Sequence, residues 1–156
     1  MTVASVQVRV ASAEDAAKAA LAVEELLEEL GGECPPRAEL EEAARQLASD
    51  EALGALLIAE AEVAVVGVLA ASWQHAIHVP GRYGTIQDLW VHHEWRSQAL
   101  GRELVEALVT LAGERGIARL EVGLPSEDFA QLAATERFYL ANGFQPLGPR
   151  MRRLLR

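Results

Sequence analysis

Residues 92–104, HHEWRSQALGREL, set two histidines, two arginines and two small residues, Ala99 and Gly101, directly ahead of an apolar-periodic segment. A strand ending at Val91, a short polar turn and a long helix starting near Ala99 would gather several unpaired N–H groups. The positive end of a helix dipole would lie at the same spot. Such a junction attracts anions. Small residues at 99 and 101 let a phosphate approach the backbone, provided that φ at Ala99 is negative. Arg96 and Arg102 can add charge at the rim. No Gly-Lys-Ser/Thr follows, so this is not a P-loop, and the G-x-G-x-x-G of a dinucleotide site is absent. Other groups that could move protons are Asp88, Tyr139 and the four histidines, His75, His78, His92 and His93. The single thiol, Cys34, has no second cysteine for a disulfide or a zinc site and reads as a spectator.

These groups need elements to hold them. VQVRVA (6–11) alternates as a strand. Ser12 and Asp15 stand in the capping-box arrangement ahead of a helix that runs to Gly31-Gly32. A second helix is expected over 37–48. Apolar strands are expected at 54–60 and 63–73, joined near Ala61-Glu62 and buried on both faces, and a further strand at 83–91. Leu100, Leu104, Leu108 and Leu111, with Val105 and Ala112 alongside, form the buried stripe of the next helix, which Gly116 ends. A strand at 118–124, a helix from Ser126 to Asn142 and one or two strands in FQPL and RMRRLL complete the order. The expectation is one α/β domain over 1–156 with a mixed central sheet of six to seven strands, flanked by about four helices.

Composition narrows the functions. The chain has 156 residues, 51% hydrophobic and 24% charged, which suits one globular domain. No apolar run reaches the roughly 18 residues of a membrane span, and the N-terminus lacks the pattern of a signal peptide, so a cytoplasmic protein is expected. The net charge of −9 argues against nucleic acid as a partner. Residues 1–62 hold 14 acidic and 4 basic side chains, so the second half, with a net of +1, can accept an anion.

The stretch LWVHHEWRSQALGREL resembles the acetyl-coenzyme-A-binding motif of the GNAT superfamily of N-acetyltransferases: a strand ending in Val, then Arg/Gln-x-x-Gly-x-Gly/Ala and a helix. Here it reads Arg96-Ser97-Gln98-Ala99-Leu100-Gly101, followed by Arg102, with Ala99 where the family prefers Gly. ERFYLANGF (136–144) resembles the family's closing signature, with Tyr139 and Gly143-Phe144 in its Tyr and Gly-Phe positions.

The resemblance implies a sheet splayed between its fourth and fifth strands, with pantetheine pairing near Leu89 and Val91. It implies pyrophosphate on the N–H groups of residues 96–102, and an N–H near Leu89 that stabilises the oxyanion. Tyr139 would protonate the leaving thiolate. Acetyl-CoA is the implied cosubstrate and no metal is implied. Many relatives carry Glu where Gln87 stands, so Asp88 or a water-mediated base is expected instead, although strand alternation turns Asp88 to the opposite face unless a bulge re-aims it. The family's frequent Asn is Leu132 here. Trp73, Trp90 and Trp95 are mainly packing candidates, with Trp90 lining either the acceptor side or the core. The acceptor is a primary amine of a small molecule or a protein. Glu33, Glu39, Glu41 and Glu42 favour a cationic one. A homodimer through C-terminal strands is common among relatives. The alternative is a non-catalytic acyl-CoA-binding regulatory module, suggested by Gln87, Leu132 and Ala99; a nucleotide-binding α/β fold is a weaker third.

Overall fold

The computed structural model describes residues 5–155, apart from the side chain of Ser97. Strand β1 (Val6–Val10) leads through a short 3-10 turn (Ala13–Asp15) into helix α1 (Ala16–Leu30) and then α2 (Arg37–Ser49). Strands β2 (Gly54–Ala61), β3 (Ala64–His75) and β4 (Arg82–Val91) follow. A 3-10 segment (His93–Gln98), helix α3 (Leu100–Glu114), strand β5 (Leu120–Val122) and helix α4 (Leu132–Ala141) complete the order. The sheet runs β1-β2-β3-β4-β5, antiparallel except for the parallel β4–β5 pair.

Local chemistry explains the boundaries. The Asp15 carboxylate accepts the Ser12 backbone N–H at 2.7 Å and two Arg9 N–H groups at 2.8 Å each, which ties the start of α1 to β1. Gly31, at φ 76°, ends α1 and donates its N–H to the Leu27 carbonyl. The β2–β3 turn uses Glu62 at φ 57°. Strand β2 is buried on both faces, as its apolar run predicts. Leu57 and Ala59 join one core with Leu69, Leu104, Leu108 and Tyr139, under α3 and α4. Leu56 and Ile58 join a second core with Ala19, Ala22, Val68 and Trp90, under α1.

Two expectations fail toward the C-terminus. Five strands form among the described residues, not six or seven. Residues 144–155 make no strand. Pro146 and Pro149 remove N–H groups, Gly148 sits at φ 142°, and Leu147, Met151, Leu154 and Leu155 face solvent, so neither ladder nor burial holds a strand there. The expected strand at 118–124 shortens to Leu120–Val122, and α4 begins at Leu132 because Ser126 closes a separate turn with the Phe129 N–H.

Candidate functional site

Strand β4 outlasts its neighbour. Pairing with β5 covers only Gly84 to Ile86, opposite Leu120 to Val122. Beyond Ile86 the β5-facing edge of β4 has no strand partner among the described residues. Toward β3 the ladder continues to Val91, and the His92 N–H reaches the Val66 carbonyl at 2.8 Å. Antiparallel alternation then turns the N–H and C=O groups of Leu89 and Val91 away from β3, into the gap. Arg96 Nε donates to the Val91 carbonyl at 2.9 Å, and the Leu89 N–H, the Leu89 C=O and the Val91 N–H have no hydrogen-bond partner among the described residues.

A β-bulge changes what β4 shows on its faces. Ile86 pairs with Ala71 and Asp88 with Ala70, so Gln87 is the extra residue. Alternation without it would send Asp88 to the α3 side. With it, Asp88 shares the α1-side face of Ala70, and Gln87 also turns there, its Nε2 donating to Ser72 Oγ at 2.9 Å. The Asp88 carboxylate has no hydrogen-bond partner among the described residues. It is half-buried, and burial raises its pKa above the ordinary carboxylate value.

The expected anion site is only partly as the sequence suggests. The N–H groups of Leu100, Gly101 and Arg102 open α3 without intrahelical acceptors, and the Ala99 carbonyl takes the Glu103 N–H at 3.1 Å. Ala99, however, has φ 57°, so the negative φ expected of it is not adopted. The chain must turn left-handed to pass from the 3-10 segment into α3, a conformation that favours glycine and costs an L-residue about 1–2 kcal/mol.

Gly101 also has a different reason than close approach of an anion. A Cβ there would lie 3.1 Å from the Phe138 ring, so its small size lets α4 pack on α3. Arg96 is not a free rim charge, since its guanidinium also pairs with Glu29 of α1. Arg102 is exposed and has no ion pair among the described residues. A shallow depression of about 420 Å³ borders Ala99 and Arg102, and Glu103 and Glu106 complete it.

Tyr139 is buried on α4, edge-on to Phe138 at 5.1 Å and to Phe144 at 5.4 Å between ring centroids. The Phe144 N–H bonds the Tyr139 carbonyl at 3.0 Å, and Gly143 at φ 90° makes that return possible. Burial pushes the Tyr139 pKa up to about 12. Leu132 is half-buried at the start of α4. Trp90 belongs to the core under α1, Trp73 to the core under α3, and Trp95 packs partly against the latter. His92 and His93 stack at 4.4 Å, and His92 Nδ1 accepts the Glu94 N–H, while His75 and His78 are exposed. Glu33, Glu39 and Glu42 are exposed, and Glu42 pairs with Arg45 within α2. Cys34 is a free, exposed thiol. The described residues contain no cluster of three or more potential metal ligands and no helix long and apolar enough to cross a membrane.

The sequence matches the model of the acetyltransferase (GNAT) family over residues 20–144, and the chain belongs to that family. Its fold is similar to that of a candidate acetyltransferase of Arthrobacter sp. FB24, at 26% identity and TM-score 0.79, covering 99% of both chains. It is also similar to the ribosomal-protein-alanine N-acetyltransferase of Brucella melitensis biovar Abortus 2308, at 18% identity and TM-score 0.73, covering 96% of this chain and 99% of that one. A third likeness is to the aminoglycoside acetyltransferase meta-AAC0020 from an uncultured soil metagenomic sample, at 17% identity and TM-score 0.77, covering 97% of each. Curated proteins give no significant sequence match.

Proposed function

We propose that the protein transfers an acetyl group from acetyl-CoA to a primary amine by direct attack in a ternary complex. The observation that carries this reading is the free edge of β4 beyond Ile86, followed directly by the open N-terminus of α3. The edge offers the donors and acceptors that an extended pantetheine arm needs, at Leu89 and Val91. The pyrophosphate would take the N–H groups of the 96–102 segment, with Arg102 as the available cation. The Leu89 N–H would polarise the thioester carbonyl and stabilise the oxyanion of the addition step. Holding both substrates together supplies much of the acceleration as positioning.

The amine nitrogen bonds to the thioester carbon, the C–S bond breaks, and one proton leaves the amine while the thiolate gains one. Asp88 is the proposed base. Its raised pKa makes it a better proton acceptor than an ordinary carboxylate. Tyr139 is the proposed partner of the leaving sulfur. With a pKa near 12, against about 8.5 for a thiol, it acts chiefly by donating a hydrogen bond. A cytoplasmic setting and a homodimer accompany this reading, although residues 144–155 supply no strands for the dimer.

Thiol release from acetyl-CoA with a panel of amines tests the proposal. Tyr139→Phe is expected to lower kcat about 100-fold with acetyl-CoA affinity unchanged. Acetyl-CoA binding without turnover of any amine would instead favour the regulatory acyl-CoA-binding module.

A further inference from the structure

The α1-side face of the sheet changes character at one rung. Val68, Ala70 and Trp90 lie in the core under α1. The next same-face positions are polar. Ser72 and Gln74 continue β3, and Thr85 and Tyr83 stand opposite them on β4. Gln87 bonds Ser72 at 2.9 Å, and Thr85 Oγ1 donates to Gln74 Oε1 at 2.5 Å. Gln74 and Gln87 are exposed, and Asp88 stands at the boundary rung, opposite Ala70.

These internal bonds leave unused capacity: the Gln87 carbonyl oxygen, the Ser72 hydroxyl proton and the Gln74 amide protons. At the far end, Tyr83 is half-buried and tilts against His78, with ring centroids 6.5 Å apart. The strip from Asp88 to Tyr83 therefore carries one charge, then neutral amides and hydroxyls, then an aromatic ring. Four residues of β3 separate the Ala70 and Gln74 rungs, a length of about 13 Å. That exceeds one sugar ring and suits two linked rings.

We infer that this strip binds the acceptor, and that the acceptor class is an amine carried on a hydroxylated ring, an amino sugar. The amine meets Asp88, the ring hydroxyls meet Gln87, Ser72 and Gln74, and a second ring lies on Tyr83. A polyamine carries no neutral polar groups to meet these amides and hydroxyls and would have a single carboxylate for its charges, and a peptide, whose amides could pair with them, brings no sugar ring to lie on Tyr83. The bulge is what builds the site, because it brings Gln87 and Asp88 onto one face with separate tasks. This inference rests on the proposed acetyl transfer.

The experiment is steady-state acetylation of D-glucosamine, its β-1,4-linked disaccharide and spermidine, with acetyl-CoA binding measured separately by calorimetry. Glucosamine is expected to be turned over with a higher kcat/KM than spermidine, and the disaccharide to show a lower KM than glucosamine. Gln87→Ala is expected to raise the glucosamine KM about five- to tenfold, the loss of one or two hydrogen bonds, with the acetyl-CoA KM unchanged. Tyr83→Ala is expected to remove the advantage of the disaccharide over glucosamine. Preference for spermidine, or a Gln87→Ala variant with unaltered glucosamine KM, would overturn the inference while leaving acetyl transfer standing. Absence of glucosamine turnover by a protein that binds acetyl-CoA would also overturn it. Absence of acetyl-CoA binding would remove both readings.

Discussion

Ala99 and Gly101 exchange the parts their sequence context suggests. The left-handed turn falls on the alanine, and the glycine answers to the Phe138 ring. Replacing Ala99 with Gly should therefore relieve strain and stabilise the protein by about 1 kcal/mol, while easing anion approach; denaturant titration and acetyl-CoA calorimetry read the two effects. Gly101→Ala should instead destabilise by about 1–3 kcal/mol through overpacking against α4, even though alanine favours a helix. Opposite signs two residues apart distinguish backbone strain from packing. At Asp88, burial raises the pKa, so the acid limb of kcat/KM should lie above the ordinary carboxylate value of about 3.9. Asp88→Asn should abolish that limb and leave only the ionisation of the acceptor amine. Both site motifs are legible in the residue order, but these assignments are not. Backbone φ at residue 99 depends on where the 3-10 segment meets α3, and the neighbour of Gly101 lies on another helix.

At the scale of elements, an ionic cluster joins β1, β2 and α1. Arg9 binds Asp15 in bidentate fashion and reaches Glu60 at 2.8 Å. The Arg9 hydrogen bonds hold the Asp15 carboxyl well below the usual carboxylate range, aided by the Ser12 N–H. A depressed folded-state pKa gives stability that is complete above the unfolded value, near 4, and is lost as pH falls through the folded one. Asp15→Asn should lower neutral-pH stability by about 2 kcal/mol and flatten the acid side of a Tm-against-pH curve.

The helices and the apolar strands were legible because their signals are periodic: the leucine stripe of α3 and the two-faced burial of β2 follow directly from spacing. The bulge at Gln87 was not, since it arises from β3–β4 register, and single-sequence alternation carries no mark of it. The C-terminal strands failed for the converse reason. RMRRLL contains apolar residues, but Met151, Leu154 and Leu155 are exposed, and no strand among the described residues pairs with that segment.

Across the whole molecule, the sheet divides the work between its faces and its gap. The α3 side holds the larger core with Tyr139 at its margin, and the α1 side holds the smaller core and then the open polar strip. Between β4 and β5 the ladder stops after three rungs, and the edge groups left free lie next to the start of α3. The family match and the shared fold place the chain among the acetyltransferases, and this gap is the feature on which the proposed chemistry depends. Amide hydrogen exchange with and without acetyl-CoA tests that dependence most directly. Selective slowing at Leu89 and Val91 and at the first turn of α3, with no comparable change along β1, is the predicted result. Binding that leaves those amides exchanging at their free rate, or no binding, would contradict it.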